Sequence, residues 1–398
     1  MPLKKFVFLT LLLLFSFQGL AQKPGLIKSR TLQSEGKLAE ALKEVEAVLA
    51  DPDTSGIGGA WFTYAEIHKA LFENSEIAIE QEFHLTEALA GYKKTRIHQP
   101  KKTRIYLLAD QVQVQMYDDL LRKGSGLLRQ QNFEASANAF EYASLVNPLD
   151  SIALQYAASI SIQGELYQKA IKNYKKLVLI SPKVSTYQSI IGIQKDRMKS
   201  DSLALITIKE AREVFPDQYE FKRYELDIYL KTRQNNQARL LLTELMEDNP
   251  TNAQFALQLA VLNDNYYKEI VQNGETDSTT LSNAFTSAAG GYMTAVQLNP
   301  KDITANFNLA MLYTDEANKY YRALNNMTLS DYKLNVDIYE EKAKESLSTA
   351  LPYMETAYNL QPKSPDILKS LRVYYDRLGM SAKKLEIEAK MRELGINF

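Results

Sequence analysis

Cysteine is absent from this 398-residue chain, and with it go disulfide frameworks, cysteine-ligated zinc, iron–sulfur centres and thiol nucleophiles. Histidine is scarce: His68, His84 and His98 are all there is. His84 and His98 share a helix face, but the helix between them spans about 21 Å, too far to hold one metal ion. Neither sign of charge is in excess, with 47 basic against 48 acidic side chains, so nothing draws the chain in bulk to nucleic acid or an anionic membrane. Beyond the N-terminus no segment approaches 18 consecutive apolar residues. No glycine-rich phosphate loop, Gly-x-Ser-x-Gly elbow or His-Glu-x-x-His motif occurs. With 45% apolar and 24% charged residues, disorder and collagen-like fibres are excluded. The length suits two or three ordinary domains or one long repeat array.

What is present begins with an export signal. Lys4 and Lys5 form a positive n-region, Phe6 to Phe17 an apolar run too short to span a bilayer comfortably, and Gly19-Leu20-Ala21 a small-residue cleavage site before Gln22. The expected mature chain is periplasmic or secreted, with no cysteine to carry a lipid anchor.

Prolines supply the main pattern. Pro148, Pro182, Pro216 and Pro250 stand 34 residues apart, three intervals without slippage. Twelve residues before each is a small side chain: Ser136, Ala170, Ala204, Ala238. Eight before is a large one, Phe140, Tyr174, Ile208, Leu242, and five before an apolar one, Ala143, Leu177, Ala211, Leu245. This ladder has helical spacing. A small residue lets two helix backbones approach, the larger ones fill the space beside it, and proline ends the helix because it has no amide hydrogen. The same distances recur before Pro100 (Ala88, Tyr92, Thr95), Pro300 (Ala288, Tyr292, Ala295) and Pro362 (Ala350, Met354, Ala357). No strand pattern competes, so the fold class is all-α.

These residues resemble the tetratricopeptide repeat, a 34-residue helix-turn-helix unit, strongly over 117–250 and more loosely outward. The family's small eighth position appears as Gly124, Ala158, Gly192 and Ala260, whereas its tryptophan position and the glycine before its second helix are mostly replaced. The resemblance implies a right-handed α-solenoid of helix hairpins. Longer proline spacings, 48, 48, 50 and 62 residues, imply several hairpins with elongated helices. Their tips are expected at 274–278, with Gly274 as C-cap and Asp277-Ser278 as N-cap, and at 325–330. Pro352 should kink a helix, and a last helix from about Ser381 to Leu394 should cap the array. The divisions are a signal peptide at 1–21, irregular repeats at 22–100, a regular array at 101–250, elongated hairpins at 251–362 and capping helices at 363–398.

Little catalytic chemistry can be found. Glu80 and His84 form an i, i+4 pair that suits a solvated helix face. Ser34 to Lys37 and Ser381 to Lys384 match Ser-x-x-Lys without its companion elements. Asp51 to Gly56 begins like a calcium loop, but Phe62 stands where a bidentate carboxylate belongs, and an inter-repeat turn explains the same residues. The expectation is a protein with no enzymatic activity, cofactor or metal.

Binding is the remaining role. In the family, the first helix of each hairpin lines a groove for extended peptides or helices. The groove positions here are Gln155, Ser159 and Gln163, then Ser189, Ile193 and Arg197, then Arg223, Asp227 and Lys231. A carboxylate clamp is not supported, because Leu121, Ser125, Gln155 and Ser159 occupy its positions. A second candidate is a basic docking patch, Lys93, Lys94, Arg96, Lys101, Lys102 and Arg104; against it, Glu76, Glu80, Glu82 and Glu87 precede these residues, so the helix runs acidic to basic along its own dipole. The reading is an exported scaffold, not itself an integral membrane protein but open to peripheral envelope contact, that binds a protein or peptide partner in the cell envelope and no nucleic acid. A glycan- or nutrient-binding helical protein, with 24 tyrosines as stacking faces, is the alternative.

Overall fold

The computed structural model describes residues 24–397, so the expected signal peptide and its cleavage before Gln22 lie outside the described residues. Eighteen α-helices and no strand occupy the described residues, and the chain divides after Phe215 into two compact units. The first contains α1 (Pro24–Ser34), α2 (Leu38–Ala50), α3 (Gly58–Asn74), α4 (Ala78–His98), α5 (Arg104–Arg129), α6 (Phe133–Val146), α7 (Ser151–Gln163), α8 (Tyr167–Ile180), α9 (Val184–Gly192, continued by a π-turn Ile193–Arg197) and α10 (Asp201–Val214). The second contains α11 (Tyr219–Lys231), α12 (Asn235–Asp248), α13 (Ala253–Gln272), α14 (Ser278–Leu298), α15 (Ile303–Asn325), α16 (Leu329–Leu360), α17 (Pro365–Arg377) and α18 (Ser381–Glu393). Within each unit every helix packs on its neighbours in sequence, so both are stacks of two-helix hairpins. The division falls inside the stretch of regular proline spacing.

The proline ladder does what its chemistry requires. Asn147, Ser181, Phe215 and Asn249, each just before a proline, are the C-caps of α6, α8, α10 and α12. Ser136, Ala170, Ala204 and Ala238 are fully buried, and Ile208, Leu242, Ala143, Ala211 and Leu245 are buried with them. Ser136 shows how close the backbones come: its Oγ donates to the Gly124 carbonyl at 2.7 Å. Burying each large aliphatic side chain of this ladder contributes about 1.5–3 kcal/mol, which only stacking can realise.

Four hairpin turns use a left-handed residue that is not glycine. Gln131, Glu165, Lys199 and Arg233 lie 34 residues apart with φ between 54° and 58°. In three of them the next amide reaches five residues back, Asn132 N–H to Leu127 O, Leu166 N–H to Ser161 O and Gln234 N–H to Tyr229 O, which closes a Schellman cap on the first helix. This is how the turn survives without the family's glycine. In the fourth, Ser200 N–H reaches six back to Gln194 O, because the π-turn has widened the helix end. Helix α9 starts two residues after Pro182, where α7 and α11 start three after theirs. The π-turn absorbs that extra residue.

The inserted residues are shared out unevenly. Regular hairpins have helices of 13 and 14 residues, as in α7 and α8. Helices α13 and α14 have 20 and 21, a hairpin lengthened on both sides. Helices α5 and α6 have 26 and 14, so there the insert extends one helix alone and the expected elongated hairpin is not formed. Helices α15 and α16 have 23 and 32. The tips fall as read from the sequence: Gly274 has φ 79°, the Asp277 carboxylate accepts from Thr280 N–H, and Thr328 caps α16 after the α15 end at Asn325. Pro352 lies inside α16, and α18 matches the expected last helix.

Candidate functional site

Helix α7 presents Gln155, Ser159 and Gln163 on one exposed face at i, i+4, i+8 spacing. Ile152 and Tyr156, each 52% exposed, stand beside them. These two were not among the expected groove residues, although their own i, i+4 spacing next to Gln155 marks the same face. Phe140 stacks beneath Tyr156 at 5.1 Å and 26°, fixing the ring's orientation. The α7 face is therefore a polar strip with an aromatic–aliphatic edge.

On α9 the groove pattern fails at one residue. Ser189 is half-buried, its hydroxyl donating to the Ser185 carbonyl at 2.9 Å. Ile193 is only 5% exposed and packs with Ala170, Ile171 and Ile190, so it is a core residue and not a groove residue. The cause is the early start of α9, which brings its buried face one residue forward of the 34-residue register until the π-turn restores it. Arg197, at the end of that turn, is exposed. Arg223, Asp227 and Lys231 are exposed on α11 and belong to the second unit, with the Arg223 guanidinium 5.8 Å from the Tyr224 ring centre.

The basic run occupies the end of α4, the turn after it and the first residue of α5. Lys93, Lys94, Lys101, Lys102 and Arg104 are exposed. Lys94 Nζ sits 5.6 Å from the Trp61 ring centre, and Arg96 is held by Asp110 Oδ1 at 3.2 Å and Gln113 Oε1 at 2.9 Å. Glu80 lies in the first turn of α4 while Arg96 and His98 lie in its last, an arrangement that complements the helix dipole.

Histidine chemistry lies elsewhere than in the His84 and His98 pair. His68 on α3 meets His84 on α4 across the hairpin, Nδ1 to Nδ1 at 2.9 Å, so one ring donates and the other accepts. His68 is 1% exposed, packed 4.4 Å from the Tyr64 ring with Phe83 at 6.0 Å. Burial, and then the neighbouring His84, push its pKa down to about 4, against a smaller upward pull from Glu87. At neutral pH His68 is therefore uncharged. The pairing is invisible to spacing rules because it crosses between two helices.

The weaker catalytic patterns are occupied by structural contacts. Lys37 pairs with Glu35 at 2.9 Å and Lys384 with Asp376 at 2.7 Å, so neither lysine serves its upstream serine. Glu80 accepts from the Ser75 hydroxyl at 2.8 Å. In the calcium-like loop, Asp51 Oδ1 caps Asp53 N–H at 3.0 Å, and the Ser55 carbonyl takes the Trp61 indole N–H at 2.7 Å. Among the described residues no group of three or more His, Asp or Glu is placed to hold a metal ion, and no helix is long and apolar enough to cross a membrane.

Eight of the 24 tyrosines are buried. Tyr92, Tyr292 and Tyr374 are fully buried, and hydroxyls donate to carboxylates in Tyr64–Glu87 (2.6 Å), Tyr92–Glu66 (2.5 Å), Tyr267–Glu316 (3.2 Å) and Tyr292–Asp264 (3.1 Å). Burial raises each of these phenols well above the usual range, with the carboxylate adding to it. The remaining sixteen tyrosines keep part of each ring at the surface.

With 34-residue spacing, hairpins in chain order and caps just before each proline, the repeat type is settled. The fold is of the tetratricopeptide type. No protein-family model matches the chain, and no curated protein matches it. Among solved structures it is similar to YrrB, a TPR protein with an unusual peptide-binding site, at 17% identity over 59% of this chain and 99% of that one, TM-score 0.33. It is also similar to MamA MSR-1 C2, at 16% over 53% and 95%, TM-score 0.31, and to pilF of Pseudomonas aeruginosa, at 16% over 65% and 97%, TM-score 0.31. At such scores the tetratricopeptide assignment rests on the repeat geometry of this chain itself.

Proposed function

We propose that this protein is an exported, non-catalytic scaffold that holds a protein or peptide partner on the exposed faces of its first helices. The observation that carries the reading is the α7 face: Ile152 and Tyr156 supply apolar anchors, and Gln155, Ser159 and Gln163 supply hydrogen-bonding groups along about 16 Å of helix. An aromatic ring held by stacking loses little entropy on binding, the usual property of an interface hot spot. Arg197 favours an acidic partner segment on the first unit, and Arg223 and Lys231 independently favour one on the second.

The test is capture of partners from a cell-envelope extract of the native host, with wild-type protein beside the Ile152→Ser, Tyr156→Ala double variant and the Arg197→Glu, Arg223→Glu double variant. A partner that recurs with wild type and is lost with either variant, while the helical melt is unchanged, supports the reading. Retention by both variants sinks it. Export is tested separately by intact mass: a mature N-terminus at Gln22 is expected, and a full-length, membrane-extracted chain removes that part of the proposal.

A further inference from the structure

Helix α4 carries apolar side chains on two faces, one packed inside the unit and one largely exposed, where Phe83 alone touches the interior through an edge contact with His68. Leu85, Ala88, Tyr92 and Thr95 are buried on the inner side. On the outer side Ile79, Phe83, Thr86, Ala90, Lys93 and Ile97 follow one another at spacings of 4, 3, 4, 3 and 4, and all six are exposed. Ile79 is 78% exposed, Phe83 56% and Ile97 63%. That alternation is the seam of a coiled coil, continuous along about 27 Å of helix.

The charges beside the seam are arranged end to end. Glu76, Glu80 and Glu82 flank its first half, and Lys94 and Arg96 its second, with Lys93 in the seam itself. We propose that this face binds the same face of a second copy of the chain, with the two α4 helices antiparallel across a two-fold axis. In that register Ile79 lies opposite Ile97, Phe83 opposite Lys93 and Thr86 opposite Ala90. Glu80 then faces Lys94 of the second copy, and Glu82 faces Arg96. An isologous contact demands such a self-complementary pattern. A parallel pairing sets glutamates on glutamates and lysines on lysines. Glu87, near the axis, is the one like-charge meeting, and the Tyr64 hydroxyl already donates to it at 2.6 Å. An anionic membrane is the poorer occupant, because the acidic half of the stripe repels it. One helix pair buries on the order of 1,000 Å², the low end for specific contacts, so the dimer is weak and reversible.

Sedimentation of the purified protein from roughly 10 to 500 µM, a range chosen for weak association, tests the proposal. The weight-average mass is expected to climb toward twice the protomer mass. Ile79→Ser with Ile97→Ser should abolish the climb and keep the helical melt. Glu80→Lys should stay monomeric, as should Lys94→Glu, whereas an equimolar mixture of these two charge variants should dimerise. Arg96 is left unchanged because Asp110 and Gln113 hold it. A wild type that stays monomeric throughout overturns the proposal, whether or not it pellets with anionic vesicles. So does a dimer indifferent to the serine variant, or a charge-variant mixture that stays monomeric.

Discussion

In hairpin α3–α4, a Cβ added at Gly91 would stand 2.9 Å from the Ala65 Cβ; in α13–α14, a Cβ added at Gly291 would stand 2.9 Å from the Ala260 Cβ. Tyr92 and Tyr292 follow these glycines, fully buried, each with its hydroxyl on a carboxylate of the opposite helix, and Ala88 and Ala288 lie at the same step before them. The inner sides are one design, set by how closely two backbones must pass. The outer sides are not. Helix α14 shows solvent Ser282, Asn283, Thr286, Ser287 and Gly290, whereas α4 shows it Ile79, Phe83 and Ile97. Packing accounts for the shared half, so the half that differs is where a role beyond folding is to be sought.

The strongest way to break the comparison is at its shared crossing. Gly91→Leu and Gly291→Leu should each cost about 3 kcal/mol or more, since the obstacle includes the Ala65 or Ala260 Cα at 3.1 Å and backbone cannot swing aside. Gly290, one residue away, has open space around its Cβ, and Gly290→Ala should stabilise by up to about 1 kcal/mol. Guanidinium unfolding followed by circular dichroism reads both units, and fluorescence of Trp61, the lone tryptophan, reads α3–α4. A Gly291→Leu protein as stable as wild type refutes the shared plan.

The second effect separates the hairpins, because only α3–α4 contains histidine. The pKa of His68 falls from 6.5 unfolded to about 4 folded, so between those values the unfolded chain binds a proton that the folded one refuses. Its contribution is complete above pH 6.5 and is lost as pH falls toward 4, a change of about 2 kcal/mol. The groups facing it are His84, Tyr64 and Glu87, and the Glu87 charge limits the loss. Trp61-detected unfolding at pH 7 and 4.5 should show the drop, and His68→Phe should flatten it. An equal slope in the variant removes His68 as the cause.

How much of this could be read from the residues follows from the range of each interaction. Proline spacing, the ladder from Ser136 to Leu245 and the caps Gly274 and Asp277 act within one hairpin, and the sequence displays them. The sharing of inserts between α5 and α6 depends on what each helix packs against, which spacing does not record. The early start of α9 moved Ile193 from the expected groove into the core, and the π-turn then restored the 34-residue period, so counting from prolines had no sign of it. The His68–His84 contact needed two helices side by side, whereas the α7 edge of Ile152 and Tyr156 was legible in its own i, i+4 spacing. The heptad on α4 was present in the letters all along, but only exposure distinguishes an outer seam from a core stripe.

A third test weighs the buried hydroxyls. Asp264 is buried, with Lys268 Nζ at 3.1 Å as well as the Tyr292 hydroxyl, whereas Glu66 is half-buried and can turn to water. Tyr292→Phe should therefore cost about 2 kcal/mol and Tyr92→Phe about 1, by loss of a charge-assisted bond in each case. Equal costs in a denaturant titration mean that the two carboxylates are equally solvated.

The smallest expected effect lies in the turns that close the two hairpins. Helix α13 ends on Gly274 at φ 79° with nothing within 4 Å of an added Cβ, so Gly274→Ala meets only the left-handed backbone penalty, about 1 kcal/mol. Helix α3 ends on Ser75 in extended conformation, and Ser75→Ala should lose only its local bonds to Ile77 N–H and Glu80, about 0.5 kcal/mol. The converse holds at Glu165, which takes φ 57° without being glycine. Glu165→Gly trades about 1 kcal/mol of backbone strain against the added entropy of the unfolded chain, and a net gain of about 0.5 kcal/mol is expected from thermal melts. A loss there means that the Glu165 side chain, and not its turn, is what the regular repeat retains.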